Sequence, residues 1–221
     1  MDTHSIWLYV HILLFVYWLG ADVGLYMVMI FVKNPNLSYE TRKTLIMLAF
    51  YIDQFPRVTF ALILPVGLHL TQDLALYPVP DWLIVLAWVV GIAWSVLHLL
   101  VVKYKGTPLA QTLLQINKLY EVLMGGFFLA VGAKSLISGA PIDAGWFALK
   151  LLLFGAIFWI ILGIDTVFQP FTTILKMGPN GSTPEAEAEV TRQTHLTMAW
   201  AVLLYLVILM VAFMGKVKPF W

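Results

Sequence analysis

The sequence predicts an all-α polytopic membrane protein: a six-transmembrane-helix bundle forming one domain over residues 1–221, with both termini outside. Three observations predict it. Of 221 residues, 61% are hydrophobic and only 11% charged, against about a quarter charged in a soluble domain. A soluble fold of this size has too little interior to hide that much apolar surface. Six separate stretches approach or exceed the roughly 20 apolar residues that a helix needs to cross a bilayer core. The runs are continuous and lack the alternating segments of a membrane β-barrel. A net charge of +1 leaves no basic face for nucleic acid. The absence of cysteine excludes disulfides, iron–sulfur clusters, c-type haem attachment and thiolate zinc sites.

The first span runs from Ser5 to Val32. It carries no positive charge before it and no small-residue cleavage site after it, so it reads as a retained span rather than a signal peptide. The second covers about Thr44 to Leu76, with polar interruptions and with Pro56, Pro65 and Gly67 as kinking or weakening residues. The third is Trp82 to Val102, the fourth Leu119 to Leu136, the fifth Ala144 to Phe168 and the sixth Leu196 to Met214. Before the sixth, Thr183 can cap a helix with Pro184 in its first position and Glu185, Glu187 and Glu189 in its early turns. That helix should therefore begin well outside the bilayer. Gly20 and Gly24, like Gly91 and Ser95, are one turn apart and permit close helix contact.

Lys33, Arg42, Lys43, Lys103, Lys105, Lys118, Lys176 and Arg192 fall in or beside the first, third and fifth loops. The positive-inside rule makes those loops cytoplasmic and sends both termini outward, with Lys134, Lys216 and Lys218 as the dissent. Trp7, Trp82, Trp146 and Trp221 would form an aromatic belt at the outer boundary. Lys134 and Lys150 are expected to snorkel there. The resulting expectation is a multi-pass protein of a bacterial inner membrane.

Ionisable groups inside spans are costly and are functional candidates by default. His11, Trp18 and Asp22 share one stripe of the first helix: eleven residues from His11 to Asp22 make three turns plus about 20°. Asp53 and Arg57 are four apart with the acid first, the favourable order for an ion pair on one helix face. Counting from the first loop, at about 1.5 Å per residue, brings Asp22, Asp53 and Arg57 to similar depths. The expectation is one buried charge network between the first two spans. The plainer alternative puts Leu45 to Phe55 on the membrane surface and lets Arg57 snorkel.

Histidines occur at two levels. His11 and His69 lie in the outer half, and Asp73, one turn beyond His69, is placed to orient its ring. His98 and His195 lie toward the inner side. Two neutral imidazoles from different helices at one height are what a b-type haem requires. His11 and His69 are therefore the candidate axial ligands, with His98 and His195 as a second pair if two haems bind. Arg57 could meet a propionate. Asp165, Gln169, Asn117, Lys118 and Glu121, with His98, Arg192 and His195, could line an inner cavity or a quinone headgroup site; equally, they could be helix-end caps and interfacial links. For any one histidine the plain alternative is a packed, hydrogen-bonded side chain.

The run from His11 through Trp18 to Gly20 reads H-x6-W-x-G. It resembles the first helix of the copper-resistance D-type membrane domains, and is similar to the small membrane protoporphyrinogen oxidases of bacterial haem synthesis and to membrane-anchored urate oxidase spans. The resemblance covers about 20 of the 221 residues. It implies haem or metal binding at His11. Arg57 and, loosely, Lys103 are the only further correspondences, and the segment from Asp53 to Arg57 departs from those families.

Together these readings favour a b-type haem protein for electron transfer or a membrane redox reaction, an oxidoreductase if it is an enzyme. Quinol or another redox partner would exchange electrons, and Asp22 would carry a coupled proton. Two rivals stand beside it. One is a transporter or channel for copper or protons, with Pro56, Pro65 and Gly67 breaking a helix at its site. The other is a non-catalytic subunit of a homo-oligomer or larger membrane complex, its buried charges paired with a partner chain.

Overall fold

A computed structural model describes residues 2–219, and the expected Trp221 of the aromatic belt lies outside them. The described chain forms eight helices and no strand: α1 (Thr3–Val32), α2 (Tyr39–Ile52), α3 (Gln54–Asp73), α4 (Asp81–Lys103), α5 (Pro108–Ser138), α6 (Gly145–Val167), α7 (Pro170–Met177) and α8 (Pro184–Val217). Six segments are long and apolar enough to cross a membrane: α1, α2 with α3, α4, α5, α6 with α7, and α8.

Local chemistry starts most of these helices. Asp2, Ser38, Thr107 and Thr183 each accept a backbone N–H of the first turn, from Ser5, Thr41, Ala110 and Ala186. Pro108 and Pro184 occupy first-turn positions, where a missing N–H costs nothing. Gly139 ends α5 at φ 68°, a left-handed turn that suits glycine. The hydrogen-bond ladder of the second span is interrupted at a single residue, Asp53, whose backbone stays in the right-handed helical region at φ −60° and ψ −18°. Pro56 has no N–H to donate to the carbonyl four residues back, so the ladder breaks and Asp53 sits at the joint. Pro65 stays inside α3.

The spans pack in chain order, α1 on α3, α3 on α4, α4 on α5, α5 on α6 and α6 on α8, and α8 closes against α1. Every span contributes to the central core: Trp18, Phe60, Trp94, Phe128, Phe158 and Leu204 come from α1, α3, α4, α5, α6 and α8. Their rings meet in tilted and edge-to-face pairs, such as Trp18–Phe60 at 4.7 Å and Phe60–Phe158 at 4.8 Å between centroids. Such geometry suits ring quadrupoles. Lipid offers no hydrophobic drive for helices to associate, so close packing has to supply it. Small residues allow the approach. A Cβ on Gly132 would stand 2.5 Å from the Leu152 backbone nitrogen, and one on Gly155 would stand 2.6 Å from that of Leu129. Gly91 meets the Ala61 carbonyl of α3 in the same way, at 2.8 Å, whereas Gly20 faces open space and Gly24 barely touches Ile52.

At the first-loop end, Arg42 is buried and forks onto Glu187 of α8 at 2.7 and 3.0 Å, while its Nε donates to the Val32 carbonyl at 2.8 Å. One guanidinium thus ties the end of α1, the start of α2 and the extramembrane turns of α8.

Candidate functional site

Asp53, at the joint between α2 and α3, lies on the wall of a cavity between the spans. Arg57, one turn along, donates from Nε to Asp53 Oδ2 at 2.6 Å and reaches Asp165 Oδ1 of α6 at 3.5 Å. These groups line a cavity of about 80 Å3 together with Asp22 of α1, His98 of α4 and Glu121 of α5. Trp18, Phe60 and Trp94 provide its aromatic walls. The space suits a few waters or a small ligand group.

Glu121 is 1% exposed. Its Oε1 accepts from Asn117 Nδ2 at 3.0 Å, and Asn117 Oδ1 accepts from the Trp94 indole at 2.7 Å. That relay fixes the carboxylate through one oxygen. The other, Oε2, has no hydrogen-bond partner, and neither has Asp22 Oδ2. Four carboxylates therefore surround one arginine. Two share Arg57, while the other two each keep an unengaged oxygen. Tyr205 of α8 braces the backbone here, its hydroxyl donating to the Asp22 carbonyl at 2.8 Å.

A different arrangement occupies the end that carries the termini. His69 stacks on Trp7 of α1, centroids 3.8 Å apart and planes within 7°. Its Nε2 accepts from the Trp88 indole of α4 at 3.1 Å. His11 packs against Gly67, its Cε1 lying 3.7 Å from where a Cβ would stand, so α1 and α3 touch directly at this level. His11 Nδ1 is buried without a partner. Of the two candidate axial ligands, His11 thus keeps a ring nitrogen without a partner. The other, His69, has its Nε2 engaged by Trp88, and Arg57, the candidate propionate partner, is engaged by two carboxylates.

Among the predicted site residues, the structure gathers Asp22, Asp53, Arg57 and Trp18 at one cavity with His98, Glu121 and Asp165 of the expected inner group, while Asn117, Lys118 and Gln169 do not line it. His195 is elsewhere: its Nε2 accepts from Lys33 Nζ at 2.9 Å, linking α8 to the end of α1. Arg192 pairs with Glu189 one turn away and does not line the cavity. Asp73 does not bond the His69 ring, because His4 Nδ1 lies 3.7 Å from its carboxylate and Trp88 already holds the ring. Trp146 is buried beside Phe147 and does not belong to a lipid-facing belt. Lys150 turns inward, its Nζ lying 2.8 Å from where a Cβ on Gly215 would stand. Asn117 and Glu121 lie well inside α5, about 14 and 20 Å from its start at Pro108, and are not helix-end caps. Among the described residues, no three histidine, aspartate or glutamate side chains are grouped to hold a metal ion. No family model matches this chain, and it matches no curated protein or solved structure.

Proposed function

We propose that this membrane protein carries protons through its interior in exchange for a small solute, with the cavity between Asp22, Arg57, His98, Glu121 and Asp165 as its working site. The observation that carries this reading is the charge imbalance: one arginine faces four carboxylates at the centre of six apolar spans. An ionised group deprived of both water and a partner costs several kcal/mol. The missing positive charge has to come from protons or from a bound cation, and a site that accepts either can exchange one for the other. In this reading the membrane is a bacterial inner membrane and both termini face outward, as the distribution of Lys and Arg favours.

The test is proton movement. Protein reconstituted into vesicles with a lumenal pH dye should change the lumenal pH faster than protein-free vesicles when a gradient of sodium, potassium or tetramethylammonium chloride, each tried singly, is imposed. Asp22→Asn or Glu121→Gln should cut that rate at least tenfold. Rates equal to protein-free vesicles would overturn the proposal.

A second reading, a b-type haem redox protein, is favoured by one observation: His11 Nδ1 is buried and unpartnered. The purified protein would then show a Soret band that shifts on reduction, with sharp α and β bands, and His11→Ala would lose it. A colourless, folded protein would end this reading.

A further inference from the structure

We infer that the cargo of the central cavity is a small organic ammonium ion, held between Asp22 and Glu121 and covered by the rings of Trp18, Phe60 and Trp94. The inference rests on the proton-exchange reading and names its solute.

The two unpartnered oxygens select for charge. Asp22 Oδ2 and Glu121 Oε2 belong to side chains from different helices that line the same cavity. Glu121, 1% exposed, is fixed through its other oxygen by the relay from Trp94 through Asn117. That carboxylate is held in place with one acceptor still free, which is how a ligand site differs from a structural ion pair. Asp53 and Asp165 are already served by Arg57.

The walls select the kind of cation. Phe60 lies between two tryptophans, 4.7 Å from Trp18 and 5.5 Å from Trp94 by centroid. Aromatic faces attract a cation through their quadrupole, most strongly for weakly hydrated ammonium groups stripped of water. A bare inorganic ion would want several oxygen ligands converging on one point, and no three acidic or histidine donors are so grouped among the described residues. A cavity of about 80 Å3 is of a size for a small amine or methylated ammonium.

The exchange balances in charge. An entering monovalent cation displaces one proton, from Asp22 or from Glu121, and no covalent bond changes. The charged and titratable groups around the pair are Asp53 at the α2–α3 joint, Arg57 on α3, His98 on α4, Lys118 next to Glu121 on α5, Asp165 on α6, and Tyr26 on α1 with Tyr205 on α8.

Calorimetric titration of the purified full chain in detergent tests the inference, with tetramethylammonium, methylammonium and sodium chlorides at equal ionic strength. Saturable binding of at least one organic cation is expected, with none for sodium. Affinity should rise with pH, by up to tenfold per unit, because each bound cation releases one proton. Glu121→Gln should weaken binding at least tenfold and Trp18→Phe by a smaller factor. The pH series on the unaltered protein decides the matter if a variant fails to fold. No saturable organic-cation heat, equal binding of sodium, or a flat pH series would overturn the inference. Proton flux without ammonium binding would overturn this inference alone; ammonium binding without proton flux would keep the cargo site and overturn the exchange.

Discussion

The two polar levels of this bundle solve the burial problem in opposite ways. At the terminus end, His69 is stacked on Trp7 and bonded by Trp88, and His4 sits beside Asp73. An imidazole is both donor and acceptor when neutral, so single aromatic or polar partners satisfy it at small cost. Toward the first-loop end, carboxylates accept and cannot donate when ionised. One guanidinium is shared by Asp53 and Asp165, and Asp22 and Glu121 each have an oxygen with no partner. The first cluster is nearly complete as protein, while the second leaves two carboxylate oxygens without a partner. Chemical interest in a buried polar group therefore tracks what it lacks more than its cost of burial. The same criterion singles out His11 at the terminus end.

The largest effect should come from Arg57. Arg57→Met leaves Asp53 and Asp165 without their shared counter-charge; removing one partner of a fully buried pair costs about 3–5 kcal/mol, and this half-buried group should lose less than that. The detergent-solubilised variant should melt many degrees below the unaltered protein. Arg57→Lys should recover part of the loss, since it keeps the charge but not the planar fork that reaches two acids. If Arg57→Met melts like the unaltered protein, the charges are solvated and the contrast between the two levels disappears.

What the sequence made legible follows from what is local. Apolar runs marked all six spans, and Thr183 with Pro184 marked the start of α8 outside the bilayer. Residue spacing put Trp18 and Asp22 on one face of α1, and Asp53 and Arg57 within reach of each other on one helix face. The Arg57 contact with Asp165 was not legible, because periodicity shows which residues share a face and not which helix lies opposite. The α5–α6 seam was missed for the same reason: Gly132 and Gly155 have meaning only against Leu152 and Leu129 of the facing helix. Glu121 was read as near a boundary because Gln111, Gln115, Asn117 and Lys118 make the first turns of α5 look like loop by hydropathy. Arg42 was counted only as a loop charge, although Glu187, 145 residues later, is its partner. Trp88, which holds His69, carried no signal of its own among nine tryptophans.

A smaller effect is expected at the terminus end. Trp88→Phe keeps an aromatic ring near the Trp7–His69 stack and removes only the indole donor. A hydrogen bond of this kind contributes about 0.5–1.5 kcal/mol net, so the melting temperature should fall by a few degrees at most. Proton flux should be unchanged, because Trp88 does not line the central cavity. A loss comparable to that of Arg57→Met would mean that the two levels act as one coupled unit.

The smallest effect belongs to the outermost polar contact, and its sign is fixed by pH. The exposed Asp2 carboxylate accepts the Ser5 N–H at 2.8 Å at the start of α1. The hydrogen bond from Ser5 holds its pKa below the ordinary 3.8. A depressed carboxylate pKa stabilises the fold above the unfolded value and loses that contribution as pH falls through the folded one. At neutral pH, Asp2→Ala should speed amide exchange at Ser5 and leave the melting temperature nearly unchanged. The difference between the two proteins should shrink once the pH drops below 3.8 and the carboxylate is protonated. A gap that persists unchanged in acid would mean that the neutral carboxyl caps the helix as well as the ion does, leaving charge with no part in holding the terminus end.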